Sequence, residues 1–221
     1  ISGSIHIAIF VLYFGFVAFS LRVDFASIYV LALVFTSIGV FINFTFYYEF
    51  VGDPLGIHPM DAKFYHFLAE QSSNLSFQKG IGLIRDSGDL GEFGFTLYTM
   101  LIYKLGGDPL VNMKISNVIL HLLTGVLLRK TCVLLGYSSL QQKLSLSLFL
   151  FNPAFIYFGS SGLKEVTFLF VVAFAVYFGY KAVAEKSLGL VFISIVLAIS
   201  TGFFRVPYSV IFLFAFFCLY Y

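Results

Sequence analysis

Charge is what this sequence most conspicuously lacks. Only 11% of its 221 residues are Asp, Glu, Lys or Arg, while 60% are hydrophobic. A soluble domain carries about a quarter of its residues as charges. No water-soluble fold of this size could hide so much apolar surface, which makes the chain an integral membrane protein. Cysteine is almost as scarce. The two present, Cys132 and Cys218, sit in apolar stretches, form no CxxC pair and build no disulfide framework. The net charge of +2 is too small for nucleic-acid binding. No internal repeat or low-complexity segment is visible, and the first apolar stretch has neither a basic leader nor a small-residue cleavage site, so it reads as a span and not as a removed signal. The chain starts at Ile1 and stops in an apolar run at Tyr221. It is expected to be the N-terminal part of a longer protein, with residues 1–221 forming a single transmembrane domain.

Against that background the apolar runs stand out. A helix needs ~20 mostly apolar residues to cross a bilayer, and helices satisfy their own backbone groups there. Candidate spans run over Ile5–Leu21, Ala26–Phe46, Leu110–Leu128, Leu140–Phe158, Val166–Tyr180 and Leu188–Phe204, with a seventh, Val206–Tyr221, cut by the end of the chain. The expected fold is therefore an all-α polytopic membrane protein with about seven transmembrane helices. Pro153 falls within one span and should kink it. Three turns are basic: one at Arg22, one at Arg129, Lys130 and Lys143, and one at Lys181 and Lys186. Placed in the cytoplasm, they satisfy the positive-inside rule. Phe46 and Leu110 then both lie outside, so an even number of crossings separates them. The short apolar stretch Phe93–Leu105 is accordingly expected to lie along the outer interface. Residues 47–109 become one long external loop with interfacial juxtamembrane helices, and eight of the eleven acidic residues fall in it (Glu49, Asp53, Asp61, Glu70, Asp86, Asp89, Glu92 and Asp108).

That loop carries the charged stretch PMDAKFYHFLAEQ. On a helix beginning near it, Asp61 lies in the first turn with Tyr65 one turn on along the same face. A carboxylate at the water–lipid boundary suits a general base acting on a sugar hydroxyl. An Asp opening a helix is equally well explained as a cap that meets the helix dipole. His66 and Glu70, at i and i+4, can share a metal, as could His58 and Asp61 nearby, yet an amphipathic interfacial helix accounts for the same letters. Lys164 and Glu165 stand where an external turn meets the next span, in SSGLKEVTF; charges there are functional suspects, although Glu165 also gains from the helix dipole. Arg205, in TGFFRVPY, offers a planar fork for phosphate or a snorkelling anchor. Lys79 and Arg85 are further cations for an anionic ligand, or solvated charges.

The order of these pieces resembles the GT-C superfamily of membrane glycosyltransferases, closest to the protein-mannosyltransferase and lipid A aminoarabinose-transferase type. The likeness runs from about Ala26 to Tyr208 and rests on PMDAKFYHFLAE after an early span, KLGGDPLV before the next, the basic turn LLRKTCVLLG, the Asn-Pro pair in FNPAFIYFG, and LKEVTF opening the following helix. The resemblance implies transfer of a sugar from a polyprenyl-phosphate-linked donor to a glycan, lipid or protein acceptor, at the periplasmic or exterior face of the plasma (inner) membrane. By position Asp61 matches the catalytic acid, which would deprotonate the acceptor. Glu165 matches a second acidic residue that organises the site or a divalent cation, so Asp61 and Glu165 are the pair that would hold a metal if one is used. Arg205 matches a cation for the lipid phosphate. Tyr65, His66 and Lys164 complete the expected substrate contacts. One departure is that SGDLGEFGF contains no Lys where aminoarabinose-type relatives have one, which leaves phosphate binding to Arg85 or Lys79. Other membrane roles fit parts of the pattern. A transporter or flippase of lipid-linked sugars would need ionisable groups deep in the bundle. A polysaccharide polymerase of the O-antigen type would need external arginines, and a non-catalytic scaffold would leave the acidic cluster unexplained.

Overall fold

A computed structural model describes residues 13–52, 60–87, 92–106 and 108–204. Among them every regular element is helical. Residues 13–20 form α1. Then follow α2 (Phe25–Phe46), a π-helical turn (Tyr47–Val51), α3 (Met60–Ser73), α4 (Phe77–Asp86), α5 (Phe93–Tyr103), α6 (Pro109–Leu134), α7 (Ser139–Leu150), α8 (Pro153–Ser161), α9 (Lys164–Glu185), α10 (Leu188–Ser200) and a 3-10 turn (Thr201–Phe203).

Several helix starts are written locally. Asp108 precedes Pro109, and its carboxylate accepts the backbone N–H groups of Leu110 (2.9 Å) and Val111 (3.0 Å). Ser138 and Gln141 form a reciprocal capping box at the head of α7. At α8 the Asn152 side chain accepts from Ala154 N at 2.9 Å, and Pro153 occupies the first helical position. Pro153 cannot continue α7, because it lacks an N–H and its ring collides with the preceding turn. The span expected over Leu140–Phe158 is consequently two helices whose axes bend by 53°.

Among the described residues three helices are long and apolar enough to cross a membrane: α2 with its π-helical extension, α6 and α9. The bent pair α7–α8 makes a fourth if it counts as one span. Of the other expected spans, Ile5–Leu21 is described only from residue 13 and Val206–Tyr221 lies outside the described residues. The stretch Leu188–Phe203 is apolar but short. α5, with 11 residues, is roughly 16 Å long, about half a hydrocarbon core.

α6 is the central helix, packed against α2, α5, α7, α8 and α9. α2 and α6 run antiparallel: the Arg129 guanidinium near the end of α6 stacks on the Phe25 ring that opens α2, and Lys114 near the start of α6 lies over Phe44 near the end of α2. The bundle thus has two distinct ends. After the buried Ile28, the inward-facing residues of α2 are small or polar along one stripe: Ala32, Thr36, Gly39 and Asn43. Thr36, Gly39 and Asn43 meet Gly159 and Ser160 of α8, with Asn43 Nδ2 donating to Ser160 Oγ at 2.6 Å. Small residues let membrane helices approach closely where no hydrophobic effect drives them together. The opposite side of α2 is apolar and open, with Phe41 70% exposed, as a lipid-facing surface should be.

At the end where α2 finishes and α6 begins, α3, α4 and α5 gather into their own apolar core. Tyr65, Leu68, Ala69, Ile84, Phe95 and Met100 meet there, joined by Met113 of α6 and by Phe204. Gly80 allows α4 to touch α3: a Cβ at that position would stand 2.7 Å from the Ser72 carbonyl oxygen. Lys104 closes the α3–α4 turn by donating to the carbonyls of Ser73 (2.7 Å) and Leu75 (2.6 Å).

Candidate functional site

The candidate site is built at this end from α3, the residue before α5, and the head of α9. α3 carries Asp61 in its first turn; the Asp61 side chain is not among those described. Tyr65, one turn further along the same helix face, is buried, and its ring packs edge-on against Phe95 of α5 with centroids 6.1 Å apart. The Lys164 ammonium lies 5.1 Å from the centroid of the same Tyr65 ring. Lys164 also forms an ion pair with the Glu92 carboxylate, both side chains being largely buried at 17% and 15% exposure. A desolvated charge pair of this kind is costly to break. Glu165, half-buried, follows in the first turn of α9, where the helix dipole favours a carboxylate. The segments bearing Asp61 and Glu165, 104 positions apart in the chain, therefore meet through Tyr65 and Lys164.

The head of α9 is held by α6. Gly162 turns the chain from α8 to α9 in the left-handed region (φ 76°), and a Cβ there would stand 3.7 Å from the Met113 side chain and 3.8 Å from that of Lys114. Asn117 Nδ2 donates to the Leu163 carbonyl at 2.9 Å, and its Oδ1 is buried with no hydrogen-bond partner among the described residues. Lys114, only 2% exposed, sits against the Phe44 ring at 5.5 Å. Lys114, Asn117 and Glu92 were not singled out by the sequence analysis. Lys114 had a signal: it is the only charged residue between Asp108 and Arg129. Glu92 had none, because a residue preceding a helix reads as a cap, and here it caps nothing with its side chain.

On the neighbouring face of α3, His66 Nδ1 and the Tyr103 hydroxyl are 2.5 Å apart with their rings stacked. His66, Glu70, Tyr103 and Asp108 line a cavity of about 370 Å³ that Lys63 also borders. Burial first, and then the charges of Glu70 and Asp108, hold the Tyr103 phenol well above its ordinary pKa. The phenol therefore keeps its proton while it shares a hydrogen bond with His66 Nδ1.

The remaining expected residues are placed differently. Lys79 is exposed on α4. Arg85 pairs with its neighbour Asp86 at 3.0 Å, both more than half exposed, an arrangement worth little energetically. Arg205 and His58 lie outside the described residues. Among the described residues no three His, Cys, Asp or Glu side chains are grouped to hold a metal ion; the Asp61–Glu165 pair is not tested by this, since the Asp61 side chain is undescribed. His121, deep in α6, has a structural role. The α7–α8 break diverts the N–H of Ala154 to Asn152, and the Leu150 carbonyl so released accepts from His121 Nε2 at 3.3 Å.

Among the described residues, fold and site together make a helical bundle with three or four membrane-length helices and a polar, partly buried cluster at one end. Compared with known proteins, the chain matches no family model, no curated protein and no solved structure.

Proposed function

We propose that the chain is a membrane glycosyltransferase of the GT-C kind, moving a sugar from a polyprenyl-phosphate-linked donor to an acceptor hydroxyl at the outer face of the plasma (inner) membrane. In this scheme the end carrying α3, α4 and α5 is exterior or periplasmic, residues 47–109 form the external loop, and about seven helices cross the bilayer. Asp61 is the base that takes the acceptor proton as the hydroxyl attacks the anomeric carbon, and the lipid phosphate leaves with the electron pair of the broken C–O bond. Glu165 and Lys164 border the same mouth, where a carboxylate orders sugar hydroxyls and an ammonium faces phosphate oxygens. Tyr65 and Phe64 offer the apolar boundary a polyprenyl tail needs. Arg205 is assigned to the lipid phosphate in the same scheme. The observation that carries the proposal is the Lys164 contact to both Tyr65 and Glu92, since it draws the segments bearing Asp61 and Glu165 to one end of the bundle.

The test is transfer of a radiolabelled sugar from a polyprenyl-phosphate donor in membranes containing the full chain or its Asp61→Asn variant. Loss of transfer with unchanged helicity and expression is expected; retained transfer removes Asp61 from the mechanism. A second reading, a flippase of lipid-linked sugars, draws on Lys114, a cation buried within a membrane-length helix. It is distinguished by the same assay, because a flippase moves the labelled lipid between leaflets and makes no new glycosidic bond.

A further inference from the structure

The opposite end of the bundle holds a second cavity, of about 400 Å³, between α2, α6 and α9. Tyr29 of α2, Val126, Arg129 and Lys130 of α6, and Tyr177 of α9 line it. Its two cations are stacked but not neutralised. Arg129 lies flat on the Phe25 ring, its guanidinium carbon 3.6 Å from the centroid, and Lys130 stands over Tyr177 at 5.8 Å. Neither has a carboxylate partner among the described residues. The two acids at this end are engaged elsewhere: the Asp24 carboxylate accepts from Ser27 N at 2.7 Å, and Glu185 faces Lys181 at 3.7 Å. The other nearby cation, Lys143, is used by the Val23 carbonyl at 2.6 Å. The Tyr29 hydroxyl oxygen is buried without a hydrogen-bond partner among the described residues.

We infer that this cavity is a binding site for the phosphodiester headgroup of an anionic phospholipid. A guanidinium stacked on an aromatic ring keeps its N–H edge available for phosphate oxygens. The Lys130 ammonium adds a second positive charge, and the Tyr29 O–H supplies a neutral donor. Lys130 lies four residues before the end of α6, roughly 6 Å along the axis, the depth of a headgroup and not of an acyl tail. Val30 beside Tyr29 and Val133 beside the cations are 59% and 54% exposed, giving acyl chains an apolar path along α2 and α6. Basic pockets between membrane helices on the positively charged side recognise anionic headgroups in this way. The site is separate from the sugar-transfer proposal and does not depend on it.

The test uses the full chain in mild detergent, titrated with phosphatidylglycerol, phosphatidylcholine, a polyprenyl phosphate or inorganic phosphate, with retained lipid counted by native mass spectrometry. Phosphatidylglycerol is expected to be held on the order of tenfold better than phosphatidylcholine. The R129Q/K130Q variant should lose that preference, while R22Q, a cation of the same end outside the cavity, should keep it. Val126→Trp fills the cavity with both charges intact and should also expel the lipid. It decides the matter together with the wild-type comparison if R129Q/K130Q does not fold by circular dichroism. Equal retention of the two phospholipids, an equal loss in R22Q, or lipid retained by Val126→Trp overturns the site. So does displacement by millimolar inorganic phosphate, or tighter retention of the polyprenyl phosphate, which would make the ligand another species.

Discussion

The two ends of this bundle treat charge in opposite ways. At the end formed by α3, α4, α5 and the head of α9, charges are mixed in sign and some are drawn inward, although Lys79, Arg85 and Asp86 stay exposed. Lys164 and Glu92 form a largely buried pair over Tyr65, and Lys114 is buried against Phe44. At the other end Arg22, Arg129, Lys130, Lys143, Lys181 and Lys186 outnumber the acids Asp24 and Glu185 among the described residues, and the cations of the cavity lean on aromatic faces. The difference fits the two roles proposed for these ends. Stacking a cation on a ring keeps it charged and available without ordering a counter-ion, which suits contact with lipid phosphates. Pairing charges away from water costs desolvation, and the return is fixed geometry; a site that holds a reacting group needs that geometry.

The comparison can be broken most directly at Asp61. Asp61→Asn should lower sugar transfer on the order of a hundredfold or more, whereas Arg22→Gln, at the basic end, should leave transfer within about twofold of wild type. Equal losses would mean that the two ends do not divide their work. The next effect in size concerns the buried pair. Lys164→Met leaves the Glu92 carboxylate without its ammonium and should cost about 2 kcal/mol in stability, read as a lower Tm in nanodiscs. Lys181→Met, which removes an exposed i,i+4 pair, should cost no more than about 0.5 kcal/mol. A double-mutant cycle between Lys164 and Glu92 isolates the pair itself. Gly162→Ala forces a side chain into the left-handed region (φ 76°) and should cost about 1 to 2 kcal/mol. The glycine at the basic end, Gly136, is also left-handed but has open space around it, so any excess at Gly162 measures packing against Met113 and Lys114.

The smallest effect is a pH dependence. The folded state holds the Tyr103 phenol above its ordinary value of 10.0, so its contribution is fully present below pH 10. It is lost as the pH rises above that value, where the unfolded chain releases a proton that the folded one keeps. Tyr103→Phe should flatten this part of the alkaline destabilisation in a denaturation series and cost about 1 kcal/mol near neutrality through the lost His66 hydrogen bond. An unchanged alkaline slope would place the phenol's protonation outside the folding equilibrium.

The kind of structure and its helix boundaries were mostly legible in the residues. Long apolar runs, Asp108-Pro109, the Ser138–Gln141 box and Asn152-Pro153 each act over a few residues. α6 and α9 appear where they were expected and run somewhat longer. The π-helical continuation of α2 and the 53° bend are local outcomes as well, although only Pro153 announced its own. The candidate site was legible in part. Tyr65 and Lys164 stand together, Lys79 and Arg85 are exposed on α4, and Glu92 and Asn117 emerged only in three dimensions. Neither carries a local pattern that separates a buried partner from a solvated group or a cap, whereas Lys114 stood out as the one charge between Asp108 and Arg129.

By itself, then, the sequence determined that this chain is helical and carries apolar helices long enough to cross a membrane, because hydropathy, capping and proline act between residues adjacent in the chain or one helical turn apart. Only the tertiary structure decided which charges meet: Lys164 with Glu92 across 72 positions, and Arg129 with Phe25 on the antiparallel helix. Charge pairing depends on distance and burial in space, and neither is encoded in the spacing of residues along a chain.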